Sequence, residues 1–190
     1  MLKKYKIINI INLKRETQLN VLKVRNELLV RKWMYTENEI KEDEHFSWIE
    51  SLKNNKKKIC LIILTNDLQP VGAMNLNFDK LNNIVEYGCY KSSLHNEKGL
   101  INKCLYNVIE YLFNNLGYDK IFSEVIEGNE KSLIMLKRVL FQEEGFLHSH
   151  IIKESKRLGI YIYSLLKNEW NNKKENCNFI NDLEIEIVNF

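Results

Sequence analysis

Proline is almost absent from this chain, one residue in 190, and there are only seven glycines. No flexible or Pro-rich linker therefore separates two independent units, and the length suffices for one domain with a full hydrophobic core. No apolar run reaches membrane-spanning length and no signal peptide is legible, so the expectation is a cytoplasmic protein with no membrane partner. The cysteines are few and unpaired in pattern. Cys60, Cys89, Cys104 and Cys177 make no Cys-x-x-Cys motif, and the first three sit in apolar stretches, as reduced buried thiols do. The four histidines show no ligand spacing beyond His148-x-His150, so no metal is expected. Charge of one sign is lacking too. Lys and Arg number 28 against 25 Asp and Glu, a net +3, which is too little to imply a nucleic-acid partner. The single dense basic run, Lys56-Lys57-Lys58, reads as a solvated turn ahead of a strand.

The stretch from Ile84 to Gly117 organises what is there. Ile84 to Tyr90 reads as a short strand, Ser92 to Gly99 as a polar turn, and the segment after it as a helix. Ile101, Cys104, Leu105, Val108, Leu112 and Leu116 are spaced for its buried face, with Asn102, Lys103, Asn107, Glu110 and Asn114 on the others. Gly117 suits the left-handed position past a helix end. A helix start behind Lys98-Gly99 offers unpaired N–H groups, which attract phosphate.

Around it the chain reads as an α/β fold. Tyr5 to Asn12 is a strand, a helix begins near Glu16 with Leu19, Leu22 and Val24 inward, and Glu42 to Lys53 is a second helix. On that helix His45, Trp48, Ile49 and Leu52 share one side, and Trp48 is expected in the core. Ile59 to Leu64, Pro70 to Phe78 and Ile84 to Tyr90 form an antiparallel meander through two tight turns. The long helix then leads to Lys120 to Ile126, expected parallel to the strand before the helix. Asn129 to Leu140 is a helix, and Gly145 to Lys153 with Gly159 to Leu166 a closing hairpin. The tail from Asn168 is polar through Asn178, then alternates apolar and acidic residues from Leu183 to Val188. It adds a strand, docks on a neighbour or stays loose.

This order resembles the GNAT superfamily of acetyl-CoA-dependent N-acetyltransferases. Ser123 to Ser132 is similar to that family's strand end and the start of its next helix, and Phe141-Gln142-Glu143-Glu144-Gly145-Phe146 to its hairpin entry. Within the first third, Val24-Arg25-Asn26, Trp33-Met34-Tyr35 and Glu44 to Leu52 resemble the PseH type. Those enzymes acetylate the 4-amino group of a UDP-linked 4-amino-4,6-dideoxy sugar on the route to pseudaminic acid, which decorates flagellin. The resemblance covers residues 1–167 and implies a single mixed, mostly antiparallel sheet with a splayed parallel pair and helices on both faces. Residues 168–190 form an extension outside it.

The resemblance further implies residue roles. Arg25, Met34, Tyr35, His45 and Tyr90 would contact the nucleotide-sugar. Arginine and histidine suit diphosphate oxygens, and aromatic rings suit uracil or sugar faces. Glu124 would be the base that frees the amine, directly or through one water. Cys89, Lys98, Gly99, Asn129 and Ser132 would line the acetyl-CoA site, with backbone N–H groups near Cys89 and Tyr90 polarising the thioester. Two positions depart from the family pattern. Its Q/R-x-x-G-x-G/A turn here has Asn96 and, in place of the second small residue, Ile101. Its thiolate-protonating tyrosine falls at Leu136, leaving Tyr90, Tyr161 and Tyr163 as substitutes.

The residues also admit plainer readings: Arg25 paired with Glu27 or Glu42, His45 as a core histidine bonded to a carbonyl, Asn129 as only a helix cap. Rival functions are an acetyltransferase of protein N-termini, as in ribosomal-protein enzymes of similar layout, and a CoA-binding module without turnover. The tail and an exposed sheet edge leave room for a homodimer.

Overall fold

The β-branched run near the N-terminus forms strand β1 (Lys3–Asn9) and then tightens into a 3-10 turn over Ile10–Asn12, instead of staying extended. Asn9 breaks it, its side chain accepting the N–H of Ile11. Helices α1 (Arg15–Arg25), α2 (Leu28–Arg31) and α3 (Glu42–Lys53) follow. The expected meander is β2 (Lys58–Thr65), β3 (Pro70–Asp79) and β4 (Ile84–Lys91). Helix α4 (Leu100–Glu110) crosses to β5 (Lys120–Ile126), and α5 (Glu130–Arg138) leads to the hairpin of β6 (Gln142–Lys153) and β7 (Lys156–Leu166). A short helix α6 (Lys167–Lys173) and strand β8 (Leu183–Val188) end the chain. The computed structural model describes residues 3–177, 183–188 and 190; Asn178, the end of the polar tail stretch, lies outside them.

All eight strands join one sheet in the order β6-β7-β5-β4-β3-β2-β1-β8. Among the described residues only β4–β5 and β1–β8 run parallel. Helices α4 and α5 cover one face, over Leu61, Met74, Val85, Tyr87 and Ile121. Val21 of α1 and Ile49 and Leu52 of α3 cover the other, over Cys60, Ile62, Leu64 and Ala73. Among the described residues no helix is long and apolar enough to cross a membrane.

One irregularity of this sheet positions the site. Strands β4 and β5 pair only at Ile84↔Lys120, Val85↔Ile121 and Glu86↔Phe122. Beyond that, β4 stays bonded to β3 as far as Gly72↔Lys91, and β5 to β7 as far as Ile126↔Ile160. Each strand is held by its outer neighbour while the two part from each other, so a wedge opens in the middle of the sheet.

The long helix departs from its expected face in two places. Asn102 is buried, not solvated, because its Nδ2 donates to the carbonyl of Met135 at 2.9 Å and fastens α4 to α5. Leu116 is 43% exposed instead of buried. Residues Tyr111–Asn115 wind as a π-helix, whose wider turn shifts the inward face and brings Phe113 into the core.

The tail adds a strand. Trp170 is fully buried, its indole N–H donating to Glu110 and its ring 4.9 Å from Tyr106. β8 lies along β1 from Lys3↔Leu183 to Ile8↔Val188, and Phe190 stacks on Tyr111 at 4.3 Å.

Candidate active site

On the face covered by α1 and α3, the strands beside the wedge carry polar side chains. Asn75 and Asn77 lie on β3, opposite Gly88 and Glu86 of β4. Asn77 Nδ2 donates to Glu86 Oε2 at 2.9 Å. Two residues past the Glu86↔Phe122 pair, the parallel register sets Gly88 and Glu124 across the wedge from each other. A Cβ built on Gly88 would meet no heavy atom within 4 Å, so the space in front of this wall is open. Sequence reasoning passes over Asn75, Asn77 and Glu86. The signal for them is a polar residue at every second position of an otherwise apolar strand.

Beside this floor lies a cavity of about 340 Å³ whose lining includes Arg25, His45, Trp48, Asn75, Asn77 and Tyr90. Three of the five expected acceptor contacts, Arg25, His45 and Tyr90, therefore meet in one place. Arg25 is paired with neither Glu27 nor Glu42. Glu27 accepts bonds from Ser92 Oγ at 2.6 Å, Ser93 N at 2.6 Å and Ser93 Oγ at 2.7 Å, and Glu42 faces Arg15 at 3.4 Å. The buried Nη1 of Arg25 has no partner among the described residues, and burial lowers the guanidinium's pKa from its ordinary value. An arginine stays cationic through such a shift, so the cavity contains an unneutralised positive charge.

His45 is buried, its Nε2 3.0 Å from the carbonyl of Gln18. Burial pulls its pKa down, so at neutral pH the ring donates through Nε2 and keeps a lone pair on Nδ1. It is a core histidine and a lining residue at once. Tyr90 remains a neutral phenol, since burial pushes its pKa up. Trp48 corrects the expectation of a core residue. It is 39% exposed, with its ring 5.8 Å from His45, because the arc from His45 to Ile49 and Leu52 turns inward and leaves Trp48 on its rim.

Met34 and Tyr35 lie outside this lining. The Tyr35 hydroxyl donates to Glu124 Oε2, and desolvation together with that carboxylate raises the Tyr35 pKa. The loop carrying them is tied down from the hairpin tip. Lys153 Nζ donates to the Met34 carbonyl at 2.6 Å and pairs with Glu37 at 2.9 Å. Replacing Lys153 by Met is expected to cost about 1–3 kcal/mol of stability, the usual range for losing charged hydrogen bonds. It should also raise the acceptor KM while leaving the affinity for the acyl donor unchanged. Urea unfolding and a KM comparison check this, and a stability equal to wild type would mean the clamp is idle.

The opposite side of the wedge is apolar. Cys89 packs against the α4 layer, its thiol pushed up to about 11 by burial, too weakly acidic to be a nucleophile at neutral pH. Gly99 caps α4 with φ 74°, a left-handed conformation that suits glycine. Behind it the N–H groups of 100–102 have no hydrogen-bond partner among the described residues, and Lys98 is exposed beside them. Asn129 caps α5 by accepting from Ser132 N at 3.4 Å. Its capping role is thereby established. Leu136 is fully buried, while Tyr163, among the proposed substitute phenols, donates to Glu143 at 2.8 Å.

A sequence profile described as "Acetyltransferase (GNAT) domain" matches residues 13–142. The chain belongs to the GNAT acetyltransferase family. An uncharacterized N-acetyltransferase of Bacillus licheniformis, p20, is 27% identical over 121 residues, which are 63% of this chain and 67% of that one. A candidate ribosomal N-acetyltransferase of Bacillus subtilis (strain 168), YdaF, is 31% identical over 98 residues, 52% of this chain and 54% of its own. The alignments thus span about two thirds and about half of these relatives. The fold matches the spermidine N-acetyltransferase of Vibrio cholerae solved with CoA and spermine, at TM-score 0.80 and 16% identity over 88% of this chain and 98% of that one.

The reaction of the family is acetyl transfer with acetyl-CoA as co-substrate, and the GNAT wedge here fits such a donor. From Tyr87 on β4 and Ser123 on β5, no backbone hydrogen bond joins the two strands among the described residues. Peptide groups on facing edges need partners, and the amides of a pantetheine arm would supply them. The free first turn of α4 with Lys98 suits phosphate. The Cys89 thiol, kept protonated by burial, is a poor nucleophile for an acyl-enzyme.

Proposed function

We propose that this GNAT enzyme acetylates the primary amine of an anionic, nucleotide-linked amino sugar: the 4-amino group of a UDP-linked 4-amino-4,6-dideoxy sugar, as in the pseudaminic acid route to flagellin glycans. The observation carrying this reading is Arg25, a half-buried guanidinium that lines the acceptor cavity and whose buried Nη1 has no partner among the described residues. An unpaired buried cation is costly unless a ligand neutralises it, and diphosphate oxygens suit a guanidinium fork. Trp48 and Tyr90 offer ring faces in the same cavity. Glu86 and Glu124 occupy the other end and suit the incoming ammonium. Cationic at one end and acidic at the other, the cleft matches an acceptor with a phosphate and an amine. It suits a polyamine less well, because every charge on a polyamine is positive. In this assignment residues 1–167 form the transferase unit and residues 168–190 an extension that closes the sheet beyond β1. Arg25, Met34, Tyr35, His45 and Tyr90 serve the acceptor, Glu124 is the base, and Cys89, Lys98, Gly99, Asn129 and Ser132 serve the donor.

A thermal-shift panel tests the assignment. Acetyl-CoA and a UDP-amino-sugar, each near a hundred times its Kd, should each raise the melting temperature by about 5–10 °C, with acetylated product formed when both are present. His45→Ala should weaken the nucleotide-sugar about tenfold, the scale of one hydrogen bond lost, and acetyl-CoA hardly at all. Equal loss of both ligands would count against the assignment. A shift with the peptide N-terminus of a ribosomal protein and none with UDP-sugars would transfer the reading to the class named for YdaF. Binding of acetyl-CoA without turnover on any amine would make the protein a CoA-binding module.

A further inference from the structure

Leu136 leaves the departing thiolate without the phenol that the family pattern places there, and Tyr163 is committed to Glu143. Tyr90 is a partly buried member of the acceptor-cavity lining, and Tyr161 packs against Phe146 with ring centroids 4.6 Å apart. Another tyrosine stands over the wedge. We propose that Tyr35 is the proton donor to the leaving sulfur and forms one acid–base unit with Glu124.

Four observations converge on it. The Tyr35 hydroxyl donates directly to Glu124 Oε2 across 89 positions of sequence. Glu124 sits two residues beyond the last β4–β5 pair, at the level where the strands have parted. Its neighbour across the wedge is Gly88, whose missing side chain leaves the approach open. The loop of Tyr35 is anchored by Lys153 through the Met34 carbonyl and Glu37, so the phenol is placed by the fold although its residue is 55% exposed.

The proton balance closes on these two residues. The ammonium first sheds one proton through Glu124 to solvent, and the amine nitrogen then bonds to the acetyl carbon as the carbon–sulfur bond breaks. Glu124 accepts the proton the amine sheds, Tyr35 gives its proton to the sulfur, and the new Glu124 carboxyl returns its proton to the Tyr35 oxygen along their hydrogen bond. The enzyme ends unchanged, and the net event moves one proton from amine to thiol. The coupling also sets the order. Desolvation, and after it the Glu124 carboxylate that holds the phenol's proton, raise the Tyr35 pKa; once Glu124 takes the amine's proton, the carboxylate's share of that restraint is gone and the phenol becomes the better acid.

The inference rests on Glu124 as base, and its test separates the two. Tyr35→Phe is expected to lower turnover with acetyl-CoA about 100-fold, the range of acid catalysis, with the calorimetric Kd of acetyl-CoA unchanged. Transfer from p-nitrophenyl acetate to the same amine should be spared, because its leaving group needs no proton. Glu124→Gln should depress transfer from both donors. Equal falls with both donors, or no fall with acetyl-CoA, each overturns the acid role. If Glu124→Gln itself leaves both rates intact, it is the base assignment that fails.

Discussion

Glu124→Gln is expected to lower kcat by about 100- to 1,000-fold at neutral pH, with the melting temperature and the acetyl-CoA affinity of the wild type. The magnitude is that of a positioned general base. Most aliphatic amines are protonated at neutral pH, so the nucleophile must lose a proton before or during attack. Glutamine keeps the shape of the side chain and still accepts from Tyr35 through its amide oxygen, but it takes up no proton. The deficit should narrow as pH rises, because free amine then comes from solution without help. Stability should not change, since Glu124 is exposed and its side-chain hydrogen bond with Tyr35 survives the substitution. The measurement is a pH profile of kcat for both proteins. Parallel profiles, or a rate within twofold of wild type, would remove Glu124 from the chemistry and leave Glu86 as the carboxylate facing the wedge.

What the sequence makes legible here is local. Helix α3 runs from Glu42 to Lys53 and β5 from Lys120 to Ile126, as their periodicity and flanking turns predict. Apolar period and turn chemistry are encoded within a few residues of each other, and nothing distant overrides them. The parallel β4–β5 pair is legible too, because a strand–helix–strand unit admits few topologies. The extent of the wedge is not, since it depends on which outer neighbour holds each strand. The candidate site divides the same way. Arg25, His45 and Tyr90 line one cavity, each carried on an element that the pattern already places. The Tyr35–Glu124 bond spans 89 positions and the Lys153–Met34 bond 119. Neither leaves a periodic trace, because each joins a loop to a strand through single side chains. The π-helical turn at Tyr111–Asn115 is hidden for another reason: its residues are ordinary helix formers, and the wider turn follows from packing.

The second large effect has opposite signs for folding and function. Arg25→Met should raise the melting temperature by about 2–4 °C and the acceptor KM by at least about 30-fold. Methionine follows the arginine stem and fills much of its volume, so the packing beneath it is kept. What disappears is a guanidinium that burial penalises and whose buried Nη1 no described residue satisfies. Removing an uncompensated buried charge stabilises a fold, by about 1 kcal/mol at this exposure, which for a chain of this size corresponds to that temperature rise. The loss of affinity has the same origin. If the cost of burying Arg25 is recovered only when an anion enters the cavity, deleting the charge deletes the attraction, and truncating one partner of such a pair costs about 2–5 kcal/mol of binding. Arg25→Lys separates charge from shape: it should recover part of the affinity, because a point charge attracts the anion without the bidentate geometry. The acetyl-CoA KM should be untouched in both variants, since Arg25 stands on the α1 face of the sheet and the first turn of α4 on the other. A fall in stability with an unchanged acceptor KM would make Arg25 a structural residue, and the split between the two ends of the cleft would no longer identify an anionic acceptor.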